Sequence, residues 1–143
     1  DCTPRPSVYG SVPDSDNASA FQQYQSFKDT ALHAPTPNGW ASVFINKTAS
    51  SKGGSYISYL VLESYNTTDC AARCEQISEC KAINIYFERT PTLYLGYECQ
   101  DAPSMTVIKC AFWGEKLLAA NVKNWGYRDW NFEVVMAGSN GYN

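Results

Sequence analysis

The chain has 143 residues, enough for one domain with a buried core and few enough for covalent cross-links to matter. Its net charge is −3 with scattered basic residues, which excludes the electrostatic footprint of a nucleic-acid binder, and no apolar run approaches the ~18 residues of a membrane span. Charged residues make up only 17% of the chain while it holds 10 tyrosines and 4 tryptophans, so its surface is expected to be polar through hydroxyls, amides and aromatic edges.

Residues 1–14 hold Pro4, Pro6 and Pro13 and read as an extended arm that cannot enter a sheet interior, pinned by Cys2. From Ser15 or Asp16 to about His33, Phe21, Tyr24, Phe27, Ala31 and Leu32 fall on one arc of a helical wheel, and Pro35, Pro37 and Gly39 end the helix. Asp14-Ser15-Asp16-Asn17 resembles the start of a calcium loop, but the downstream glutamate is missing, so these residues are expected to cap the helix. A strand is expected over 40–45, then an exposed polar loop over 46–54. A second strand spans 56–62, with Ile57, Tyr59 and Val61 on one face and Tyr56, Leu60 and Leu62 on the other.

The 69–89 stretch anchors the rest. Cys70, Cys74 and Ile77 share a helical face, with Thr67, Thr68 and Asp69 as N-cap candidates. Cys80 then opens a half-buried strand in which Ile83, Ile85 and Phe87 alternate with Ala82, Asn84 and Tyr86. Residues 90–104 form a long aromatic loop restrained at Cys99. Over 105–113 strand character returns, Val107, Lys109 and Ala111 facing one way and Ile108, Cys110 and Phe112 the other. Residues 115–127 are a second connection with a helical turn at 116–120. The last strand is expected over 129–137, with Trp130, Phe132, Val134 and Met136 on one face and both Trp113 and Trp130 in the core.

The Cys-x3-Cys-x5-Cys helix running into an apolar strand resembles the PAN/apple domain family. The likeness is closer to small secreted fungal proteins of PAN-like type, through the Cys2-Thr3-Pro4 start, the 84–89 run, the 108–114 run and the 137–142 ending. The resemblance implies a single α+β domain over 1–143: a small antiparallel sheet with a helix disulfide-tied to it, an N-terminal helix and long loops. Sequence leaves the pairing of six cysteines open. The resemblance favours Cys74 with Cys80 and Cys70 with Cys110, with Cys2 and Cys99 as the remaining pair. It also implies a fungal source and carries no catalytic residues.

An even cysteine count implies disulfides and an oxidising compartment. The sequons at Asn17, Asn46 and Asn66 fit a secreted glycoprotein, and a chain starting at Asp1 without an apolar leader reads as a mature form. His33 is the only histidine, which leaves a catalytic triad or a histidine-based zinc site without partners, and neither metal nor cofactor is expected. Glu88, Glu98, Asp101, Asp129 and Glu133 keep open a glycan-cleaving enzyme that uses two carboxyls, although Glu88-Arg89 reads more simply as an ion pair or loop tether. Binding is the preferred class. A sugar-binding site stacks an aromatic ring on the pyranose and sets amides or carboxylates beside it. The candidates are Tyr94, Tyr97, Trp125 and Tyr127, with Asp101, Asn121, Asn124 and Asp129 as polar neighbours. The expected partner is extracellular or cell-wall carbohydrate, with a protein-interaction, adhesion or effector role as the alternative.

Overall fold

The strand that opens at Ala82 becomes the centre of the molecule. In the computed structural model, which describes residues 1–143, β4 (Ala82–Pro91) is buried at every position. It pairs antiparallel with β5 (Ser104–Trp113) on one side and with β9 (Met136–Tyr142) on the other. β1 (Ser42–Lys47) and β3 (Tyr56–Leu62) are the edges, giving the order β1-β9-β4-β5-β3. Three helices, α1 (Ala18–Gln22), α2 (Gln25–His33) and α3 (Thr67–Glu75), complete an α+β fold. Two short ribbons pair β2 (Ser50–Ser51) with β6 (Val122–Asn124), and β7 (Tyr127–Asp129) with β8 (Phe132–Val134).

Strand alternation gives the sheet two different faces. Ile83, Ile85 and Phe87 of β4 join Ile108, Cys110 and Phe112 of β5 in one core with Phe21, Phe27, Cys70 and Cys74 from the helices. Phe27 stacks on Phe87 with ring centroids 4.2 Å apart. On the opposite face Tyr86, Ala111 and Met136 pack together, and Ala82 and Trp113 meet Ala49, Leu117 and Val122 beneath the β2–β6 ribbon.

Three disulfides fasten these layers: Cys70–Cys110 ties α3 to β5, Cys74–Cys80 ties α3 to the entry of β4, and Cys2–Cys99 ties the N-terminal arm to the 92–103 loop. The pairs are those expected above. No cysteine is free, and no helix is long and apolar enough to cross a membrane.

Several local expectations give way. The single helix over 16–33 divides at Gln23–Tyr24; the break shifts the phase of the second half, so Leu32 lies 51% exposed instead of in the core. Asn66, not the following threonines or Asp69, caps α3 by accepting from the Asp69 N–H, and Asn17 caps α1 in the same way. The supposedly exposed 46–54 loop buries Ala49, Ser50 and Ser51, because Ser51 donates its N–H to the buried Asn84 side chain. The helical turn of the second connection falls at Ala119–Asn121.

The expected strand over 129–137 is replaced by a hairpin and a later strand. Trp130 takes a positive φ of 54° at the hairpin tip and is 45% exposed, so it leaves the core position expected for it. β9 runs through Gly138, Ser139, Asn140 and Gly141, beyond the end expected for the last strand and without β-formers. The glycines are there for close approach: a Cβ on Gly141 would collide with the Phe44 ring, and one on Gly138 would lie 2.9 Å from Phe87.

Candidate functional site

The helix-free face of the sheet is concave. Asn84, Tyr86 and Glu88 of β4 and Lys109, Ala111 and Trp113 of β5 form its floor, because they alternate with the residues that point into the helical core. Tyr56 and Tyr59 of β3 make one wall. A β-bulge at Ile57–Ser58 turns Ile57 into the helical core and brings Tyr56 onto the face of Tyr59, overturning the simple alternation expected for this strand. Ser50 and Ser51, Asn124 and Tyr127 close the other side, giving a cleft of about 360 Å³.

A second cleft of about 240 Å³ adjoins it and shares Tyr59, Glu88 and Lys109. Its outer wall is the N-terminal arm, through Arg5, Pro6 and Val8, together with Tyr94. The arm is held there by the Cys2 bridge, by Cys2 N–H donating to Tyr94 O and by Arg5 N–H donating to Thr92 O. The two clefts therefore form one groove along the sheet.

At its centre Lys109 Nζ lies 3.1 Å from Glu88 and 4.2 Å above the centre of the Tyr59 ring. Glu88 also accepts from the Thr90 hydroxyl. Glu88 thus pairs with Lys109, not with its neighbour Arg89. Alternation sends Arg89 to the opposite face, where it meets Asp16 at 3.0 Å and lies over the Phe132 ring.

Burial, and then the charge of Glu88, raise the pKa of Tyr86 above that of free tyrosine, partly offset by a hydrogen bond with Ser50. Burial also raises Tyr127, reinforced by Glu88 and Asp129 and opposed by Arg5. Both phenols therefore stay protonated donors at neutral pH. Trp113 is 6% exposed, lines the cleft beside Tyr56 and has an indole N–H without a hydrogen-bond partner. A buried donor left unpaired is unfavourable for the fold.

Of the residues singled out in the sequence, Tyr94, Asn124 and Tyr127 line the groove. Asn121 lines a smaller hollow near Leu117, which adjoins the main cleft through Ser51, Lys52, Gly53 and Trp113. Trp125 and Tyr97 are 62% and 82% exposed and line neither cleft. Asp101 turns back on the Ala102 N–H, and Asp129 acts on the groove only through its charge near Tyr127. Sequence reasoning missed Tyr56, Tyr59, Tyr86, Lys109 and Trp113. The period-two pattern of Asn84-x-Tyr86-x-Glu88 beside Lys109-x-Ala111-x-Trp113 could have found most of them, since it marks a polar, aromatic face on strands otherwise apolar.

Glu88 is the one carboxylate that lines either cleft. No three His, Cys, Asp or Glu side chains gather as a set of metal ligands. Comparison with protein-family models, curated proteins and solved structures gives no match.

Proposed function

We propose that this chain is a secreted, non-enzymatic binding module of PAN/apple-like type that takes extracellular or cell-wall carbohydrate into the groove on the helix-free face of its sheet. The observation that carries this reading is the composition of the groove. Exposed rings of Tyr56, Tyr59 and Tyr127 stand over a floor of phenol, amide, ammonium and carboxylate groups, which matches the apolar C–H faces and hydroxyl rims of a pyranose. Three disulfides support an oxidising compartment, and the helix tied to the sheet by two of them supports the PAN/apple-like assignment. A two-carboxylate hydrolase would need a partner for Glu88, and none lines the groove.

The test is binding of the oxidised protein to a panel of fungal and plant wall glycans, with the products analysed in parallel. Retention without cleavage is expected, weakened about tenfold by Tyr59→Ala or Tyr127→Ala, as fits the loss of one stacked ring. Trp125→Ala is expected to change nothing, because that side chain stands outside the groove. Release of shortened sugars would refute the binding reading.

One observation favours a protein partner instead. β3 is an edge strand without a charged residue, and Tyr56, Tyr59, Leu60 and Val61 on it are all at least 36% exposed. Such an edge can add a strand from a partner. Protein capture that is lost on Leu60→Lys, with no glycan retained, would establish that alternative.

A further inference from the structure

The charges along the groove differ in sign from those of the whole chain. Arg5, Lys52 and Lys109 line the two clefts against the single carboxylate of Glu88, in a protein of net charge −3. Lys109 is neutralised by Glu88 at 3.1 Å, which leaves Arg5 and Lys52 without an ion-pair partner, one in each cleft.

Arg5 is held in place. Its Nε donates to Leu93 O at 3.3 Å, its backbone N–H donates to Thr92 O at 2.9 Å, and its guanidinium carbon lies 4.5 Å from the centre of the Tyr94 ring. The two terminal nitrogens have no protein acceptor. A guanidinium fixed by one bond and a ring, with its remaining N–H groups free, is a planar fork for a carboxylate. Its charge also reaches Tyr127, where it opposes the effects of burial and of Glu88 and Asp129.

We propose that the groove selects carboxylate-bearing glycans, chains of uronic acid rather than neutral sugars, with a sugar carboxylate seated on Arg5 and neighbouring rings against Tyr94 and Tyr59. This rests on the carbohydrate reading above and names the class of sugar. Carboxylate is preferred to sulfate as the anion. A densely sulfated chain calls for clustered cations, and the groove offers two unpaired ones in separate clefts.

The experiment titrates the oxidised protein with an oligomer of galacturonic acid and with the same oligomer methyl-esterified, which keeps the rings and removes the charge. A neutral glucan oligomer and dextran sulfate serve as controls. The free acid is expected to bind about tenfold or more tightly than the ester, as fits one charge-assisted fork. Its affinity should fall with added salt while that of the ester should not. Arg5→Gln should remove most of the advantage of the acid over the ester and leave the ester unchanged, Arg5→Lys should be intermediate, and Lys52→Gln should weaken the acid alone and by less.

Equal binding of acid and ester, or an Arg5→Gln loss that is the same for both, would overturn the proposal. Dextran sulfate binding as tightly as the acid would overturn the carboxylate assignment. Failure of both uronate probes with the neutral glucan retained would refute the uronate proposal while leaving the carbohydrate reading standing. Failure of every glycan would refute both.

Discussion

Replacing Lys109 by methionine keeps the length of the side chain and removes its charge, stranding Glu88 in the floor of the groove. The two side chains are 16% and 9% exposed and 3.1 Å apart. At an effective dielectric of about 20 that separation gives roughly 5 kcal/mol of direct attraction, most of it offset by the desolvation of both ions. After the substitution Glu88 keeps only the Thr90 hydroxyl as a partner. An uncompensated buried charge costs about 3–5 kcal/mol. Because the groove admits water on one side, the loss expected for Lys109→Met is at the low end, about 3 kcal/mol. Combining it with Glu88→Gln removes both charges and should recover much of this, to a net loss of about 1 kcal/mol. The check is urea unfolding of the wild type, both single variants and the double variant, disulfides intact, read as a double-mutant cycle. Additive effects, or a loss below about 0.5 kcal/mol for Lys109→Met, would show that water already screens the pair and would refute the coupling of Lys109 to Glu88.

Removing Cys70–Cys110 should lower stability by up to about 4 kcal/mol and removing Cys74–Cys80 by up to about 2, since the former closes a separation of 40 residues and the latter one of 6; unfolding of the paired serine variants measures the difference. Asn84 accepts from the Ser51 N–H and donates to Ser139 Oγ and Asn140 O, so Asn84→Ala should cost about 2–4 kcal/mol by leaving those groups unpaired. The same change should loosen the β2–β6 ribbon, so glycan binding should weaken more than for a surface substitution of equal stability cost. Burial disfavours the Asp16 carboxylate, but hydrogen bonds from Ser104 and the charge of Arg89 outweigh it, and its pKa is lowered on folding. Its contribution is therefore full above the unfolded value of about 4 and is lost as pH falls through the lower folded value. The stability gap between wild type and Asp16→Asn should be constant above about pH 5 and close in more acidic solution; a gap that widens on acidification would refute the assignment.

The central architecture was legible because its signals are local and periodic. Cys70 and Cys74 mark one helical face, with Ile77 packing against the same core just past the end of α3, and the alternation of Ile83, Ile85 and Phe87 marks a strand that must meet it. What was not legible depends on partners distant in sequence. β9 is a strand despite its glycines because Phe44 and Phe87 fill the space that its side chains would take. Ser50 and Ser51 look like loop residues until Asn84 supplies the acceptor that buries them. The site suffered the same way. Loop aromatics such as Trp125 and Tyr97 were conspicuous because nothing nearby explained them. Tyr59 and Tyr86, placed within strands, were not among the site candidates although they face the groove.

The same alternation that builds the helical core also assigns the work of the other face. On β4 the odd positions are apolar up to Phe87 and then give Arg89, which clamps Asp16, while the even positions run from Asn84 through Tyr86 to Glu88 along the floor of the groove. A one-residue slip of register would exchange the two sets, burying Glu88 among phenylalanines and exposing Ile85. Cys70–Cys110 and Cys74–Cys80 together oppose that slip, since they tie β5 and the entry of β4 to the same helix α3. The disulfides thus bear on the site as well as on stability. Cys70–Cys110 and Cys74–Cys80 hold the two strands that point Lys109 and Glu88 into the groove, and Cys2–Cys99 holds the arm that carries Arg5 along its outer wall. Reduction of the Cys2 bridge alone should therefore free that wall while leaving the sheet folded, separating loss of ligand selectivity from loss of the fold.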